Sequence, residues 1–144
     1  RVYKTGLGLI KNSINPRTGL APDWVRFDSE GRLVSPGETD HFGYEAIRVY
    51  LYLALADEKE ALKAAAPLIH RAADQGYLSA VMELGGRAVS ECQLSSGGYA
   101  ILAKAARSLD LPGESEKIEV LAITGMANDP YNYYGSALFL LASF

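Results

Sequence analysis

Residues 42–54 read FGYEAIRVYLYLA. From Val49 to Ala54 no side chain is charged. A run that is apolar nearly all round reads as a helix, here 42–56, lying in the interior of a helical fold. Its front end differs, because Tyr44, Glu45 and Arg48 crowd into five positions. On a helix, residues three and four apart share a face, so these three side chains point the same way. The start of a helix stabilises negative charge, and a neighbouring cation favours a carboxylate in its ionised form. A base that must accept a proton benefits from both. A structural ion pair at a buried helix end is the plainer reading of the same residues.

Working outward, the chain divides into six predicted helices. The first spans 2–12 and ends at NPRTG, where Pro16 and Gly19 interrupt the pattern. Residues 13–40 form a loop too long for a plain connector. Trp24 lies within it, so the loop is expected to be ordered and folded onto the body. The third helix covers 58–75 and opens with acidic residues, as the helix dipole favours; Pro67 kinks or restarts it. Residues 79–92 form a hairpin around Gly85-Gly86 or an irregular loop. Further helices are expected at 96–109, 114–126 and 131–143. The second and sixth are apolar nearly all round. The third can turn Glu58, Lys59, Glu60, Lys63, Arg71 and Asp74 to water. Buried and half-exposed helices in alternation fit an all-α fold of hairpins in two layers, as in an α/α toroid. There the starts of the inner helices converge on one face.

Composition removes several classes. A chain of 144 residues, 49% hydrophobic and 22% charged, fits one globular domain over 1–144. The net charge is -3 with no basic run, which argues against nucleic acid as a partner. Cys92 stands alone, so neither an internal disulfide nor a cysteine-cluster zinc site can form. The apolar stretches fall well short of the roughly 20 residues that cross a membrane. His41 and His70 make no HExxH motif, and GLGLIK lacks the third glycine of a dinucleotide loop. No metal and no cofactor is implied. The opening RVYKTGLGLIKN reads as a helix already under way, as in a piece of a longer protein.

Three stretches, GLAPDWV (19–25), FGYEAIRVYLYLA (42–54) and YYGSALFLLA (133–142), together resemble glycoside hydrolase family 8, in particular its bacterial endoglucanases of the cellulose-synthesis type. The resemblance covers the whole chain. It implies an (α/α)6 barrel of twelve helices, of which 1–144 would be the C-terminal half of the catalytic domain. It also implies inverting endo-hydrolysis of β-1,4-glucan. In such chemistry a carboxylic acid and a carboxylate stand about 6.5–9.5 Å apart, with the attacking water between them. The family's acid lies in the N-terminal half, and no stretch here corresponds to it. Its base is an aspartate in a YDA-x-R pattern. This chain has Tyr44-Glu45-Ala46-Ile47-Arg48, with glutamate in the acid position.

The resemblance therefore implies Glu45 as the general base. Asp40, in GETDHFG, competes as an alternative base or as the cap of the helix that follows. Asp23 orders its loop through backbone N–H groups. Aromatic rings stack on sugar faces, and nine tyrosines against four phenylalanines favour rings with a polar tip. Trp24 is expected on the wall of the cleft that holds Glu45. Tyr44, Arg48, Tyr131, Tyr133 and Tyr134 are further substrate contacts, while Tyr50 and Tyr52 read as core. The implied partners are a β-1,4-glucan and the N-terminal half of the same catalytic domain, or self-association in its absence. The implied location is secreted or periplasmic. Two other classes stay open: a helical scaffold or binding module, and another α/α-toroid carbohydrate enzyme such as a lyase or an epimerase.

Overall fold

The computed structural model describes residues 2–143. The first helix, α1 (Val2–Ser13), stops where the Ser13 hydroxyl donates back to the Ile10 carbonyl at 2.8 Å. The Asn15 side chain then accepts from the N–H groups of Arg17 and Thr18, a turn in which Pro16 costs no hydrogen bond. Gly19 follows at φ +72°. A Cβ there would lie 2.8 Å from the Leu68 nitrogen, so glycine is required both by the backbone angle and by the close approach.

The expected ordered loop carries one short ladder, and a second begins just after it. Strands β1 (Arg26–Phe27) and β2 (Leu33–Val34) pair antiparallel as a surface hairpin. Strand β3 (His41–Phe42) pairs with β4 (Met82–Glu83), far along the chain. Between these last two come α2 (Ile47–Leu55), a short α3 (Lys59–Leu62), a 3-10 turn (Lys63–Ala65) and α4 (Ala66–Gln75). The expected single helix over 58–75 is thus restarted at Pro67, in the first turn of α4, where a missing N–H is harmless. Beyond β4 the chain reverses at Gly85-Gly86. Glu83 N–H donates to the Arg87 carbonyl at 2.8 Å, and Gly86 sits at φ +99°. Three long helices complete the chain: α5 (Ser96–Ser108), α6 (Pro112–Asn128) and α7 (Tyr133–Ser143).

The centre of the packing is α5, against which α2, α6 and α7 lie. From Ser96 to Ala106 it is buried except at Lys104. This corrects the expectation that the second and sixth predicted helices, now α2 and α7, are the interior ones. The physical reason is size. Gly97, Gly98, Ala100, Ala103, Ala105 and Ala106 add little hydrophobicity but let neighbouring helices come close. A Cβ on Gly97 would stand 2.4 Å from the Gly135 carbonyl of α7. The larger apolar residues of α7 are only partly used, since Tyr133, Leu140 and Leu141 are exposed, as are Val120 and Ile123 on α6. Among the described residues, no helix is long and apolar enough to cross a membrane.

Tyr50 ties the loop to this helical body. It is fully buried, donates to the Gly19 carbonyl at 2.6 Å and accepts from the Ala21 N–H at 2.8 Å. Burial pushes its phenol well above the usual tyrosine range, so the hydroxyl stays neutral. Tyr52, two residues on, is 62% exposed, which corrects its assignment to the core. Residues two apart point to nearly opposite sides of a helix. Tyr50→Phe strips the partner from a buried carbonyl and a buried N–H. It should lower stability by about 1–3 kcal/mol in urea denaturation; a variant as stable as the parent would mean that other contacts hold the loop.

Candidate active site

Helix α2 begins at Ile47, five residues later than expected. Residues 43–46 form a tight turn ahead of it, with Ile47 N–H donating to the Gly43 carbonyl at 3.2 Å and Arg48 N–H to the Glu45 carbonyl at 3.3 Å. Tyr44 and Glu45 therefore lie in the turn, and Arg48 in the first turn of the helix. The cap is neither Asp40 nor the local Ala46. It is Asp23, whose Oδ1 accepts from the N–H of Glu45 at 3.1 Å and of Ala46 at 2.9 Å. A loop residue thus does the work usually done by the residue before a helix. Gly43 permits the approach, since a Cβ there would lie 2.6 Å from Asp23 Oδ2.

Asp40 has another task. Its carboxylate accepts from Gly37 N–H at 2.8 Å and pairs with Arg26 at 3.4 Å, closing the loop before β3. The expectation of a cap at Asp40 is corrected by these contacts.

The Glu45 carboxylate pairs with the Arg48 guanidinium, and both side chains are partly exposed. The Tyr44 ring meets the Tyr134 ring edge to face at 6.2 Å and 78°. The Tyr134 hydroxyl donates to the Tyr44 carbonyl at 2.9 Å. Burial pushes that phenol up, while the nearby Arg48 charge works in the opposite direction. Tyr44, Glu45 and Tyr134 border a hollow of about 730 Å³. Ser95 and Ser96 at the start of α5 and Asn132 before α7 border it as well, so three helix starts converge there. Ser95 accepts from Gly98 N–H and Asn132 from Gly135 N–H, each capping its own helix. A second carboxylate, Asp129, lines the same hollow and accepts from the Asn132 side chain at 3.1 Å.

The other aromatic candidates fall elsewhere. Trp24 is 80% exposed and borders a separate hollow of about 350 Å³ with Asp23, Asp40 and His41. The expectation that it shares a cavity with Glu45 is corrected: Asp23 turns in to cap α2, and its neighbour is left facing out. Tyr131 and Tyr133 are exposed and outside the larger hollow. Successive helical residues point about 100° apart, so Tyr133 turns away where Tyr134 turns in. Sequence reasoning missed Asn128, Asp129 and Asn132 as lining residues. They stand in NDPYN, just ahead of α7, where Pro130 interrupts the helical pattern and the Asn and Asp side chains are also hydrogen-bonding groups. Among the described residues, no group of three or more His, Cys, Asp and Glu is placed to hold a metal ion.

The sequence pattern of the family Glycosyl hydrolases family 8 matches residues 1–144. No curated protein sequence matches the chain. Among solved structures, the crystal structure of an endo-1,4-D-glucanase from Vibrio fischeri ES114 superposes with a TM-score of 0.76 at 21% identity. The match covers 98% of this chain and 42% of that one, so this chain spans less than half the length of its structural relative. At such identity the likeness concerns the fold, and the helices described above are a portion of an α/α toroid. With the family pattern running through its whole length, the chain belongs to glycosyl hydrolases family 8.

Proposed function

We propose that this chain supplies the base side of the cleft in an inverting endo-β-1,4-glucanase. The observation that carries the proposal is the Glu45–Arg48 pair, a carboxylate held by a guanidinium at the edge of the hollow where three helix starts meet. Glu45 is the general base: it takes a proton from the water that attacks the anomeric carbon. Arg48 holds the carboxylate charged and in place. Tyr44 and Tyr134 offer aromatic edges to a sugar, and Asn128, Asp129 and Asn132 offer hydrogen bonds to its hydroxyls. Trp24, outside the hollow, is a stacking platform for sugar units farther from the bond that breaks.

The acid that protonates the leaving oxygen belongs to the remaining half of the catalytic domain, 1–144 being the C-terminal half. The exposed apolar residues of α6 and α7 support this, because Val120, Ile123, Leu140 and Leu141 form surface that further helices can cover. A polymeric glucan is met outside the cytoplasm, which suits a secreted or periplasmic enzyme.

Three outcomes are expected. The 144-residue chain should self-associate and release no reducing ends from soluble cellulose, whereas a protein extended upstream by about 200 residues should be monomeric and active. Unsaturated ends would indicate a lyase, and no product a binding module. In the extended protein, Glu45→Gln should cut turnover about a hundredfold or more with binding retained. Asp40→Asn should change turnover little, and the reverse pattern would move the base to Asp40. Trp24→Ala should raise KM roughly fivefold with kcat nearly unchanged, the scale of one exposed aromatic contact. A fall in kcat instead would place Trp24 at the reacting sugar.

A further inference from the structure

We propose that Asp23 and Tyr134 are positioning residues that grip the Tyr44–Glu45 peptide from its two sides and so aim the Glu45 carboxylate. The proposal rests on the reading of Glu45 as the base. The Tyr44 carbonyl and the Glu45 N–H belong to one planar amide unit. The carbonyl accepts from the Tyr134 hydroxyl at 2.9 Å, and the N–H donates to Asp23 Oδ1 at 3.1 Å. The next N–H, of Ala46, donates to the same Asp23 oxygen at 2.9 Å. The backbone is therefore anchored before and after the Glu45 Cα. The side-chain torsions that remain are restrained by the pair with Arg48.

Capping alone does not account for this arrangement. Asp23 satisfies N–H groups that a helix start leaves without intrahelical partners. The Tyr134 bond goes to a carbonyl, which no N-terminal cap needs, and it comes from 90 residues downstream. Burial raises the Tyr134 phenol, so it remains a donor at neutral pH. Residues 44–46 lie in a turn ahead of α2, where the regular helical ladder does not yet hold them. A carboxylate on an ungripped turn would wander by about an ångström, an error that can cost a hundredfold in rate. Two segments remote in sequence instead converge on the one peptide that carries it.

The test combines amide exchange with kinetics in the extended, active protein. Asp23→Ala should speed exchange at the Glu45 and Ala46 amides about tenfold or more. Asp23→Ala and Tyr134→Phe should each lower kcat about tenfold, with KM within about twofold of the parent. Asp23→Asn keeps an Oδ1 acceptor and should recover most of the loss. Tyr134→Phe keeps the ring against Tyr44 and should leave the unfolding midpoint nearly unchanged, which separates positioning from folding. Unchanged exchange in Asp23→Ala would overturn the grip. Parent kcat in Tyr134→Phe, or losses confined to KM, would overturn the positioning role. If Glu45→Gln retains turnover, the base reading fails and the positioning role fails with it, while the exchange data report on the grip separately.

Discussion

The hydroxyl of Tyr50 joins the two parts of the molecule that a site must bring together. It lies between the Gly19 carbonyl and the Ala21 N–H, fully buried, and fastens the long loop to α2. Leaving either loop group unpaired in that interior would be costly, so this stretch of loop has one favourable position. Gly19 presses on the start of α4 at the same point. Two residues beyond Ala21 comes Asp23, and its N–H donates to the His41 carbonyl at 2.7 Å. The reach of the Asp23 carboxylate to the Glu45 and Ala46 amides follows from that anchorage. Remove it, and the loop becomes a tether whose acid has no fixed address.

The second constraint is the thinness of α5. Glycines and alanines along this helix let α7 come within a backbone contact of it at Gly97 and Gly135. That approach brings the starts of α5 and α7 close together beside the turn that opens α2. Each start uses a short polar side chain, Ser95 or Asn132, to satisfy its own first N–H groups. The hollow is polar along that border because helix starts are polar by necessity. A surface that recognises hydroxyl-rich ligands then needs little beyond the capping residues that the helices already require.

Much of the helical fold was legible in local pattern. The helix ends at Ser13, Ser108 and Ser143 fall within one residue of the expected positions, and Pro67 restarts a helix as its missing N–H demands. The errors have three causes: a partner distant in sequence, the small size of the residues at the centre of the packing, and the direction in which a side chain points. The start of α2 was misplaced because its cap, Asp23, lies 22 residues from Glu45 and no local spacing announces it. The centrality of α5 was missed because small residues score low on hydrophobicity while permitting the closest packing. Tyr133 and Tyr134, or Tyr50 and Tyr52, look alike in sequence, and only the phase of the helix separates them. At the site, the Glu45–Arg48 spacing was enough to foresee a pair. The grip on the peptide behind it was not visible, since Asp23 and Tyr134 meet there only through the fold.

Stability is a weak reason for the Glu45–Arg48 pair. Both side chains are partly exposed, and pairs of that kind contribute about 1 kcal/mol or less. Other surface pairs, such as Arg32 with Asp28 and Arg87 with Glu83, brace hairpin turns. Glu45 differs in its setting, with its backbone held by Asp23 and Tyr134 and its carboxylate turned to a residue of α2. Compared with the aspartate of the YDA-x-R pattern it resembles, Glu45 has one more methylene, roughly an ångström of added reach. A longer arm on a fixed backbone sweeps a wider volume unless its end is also held. Arg48, rooted in the first turn of α2, holds that end. The anchored backbone and the guanidinium thus act on opposite ends of the same side chain, and together they compensate for the freedom that the added methylene brings.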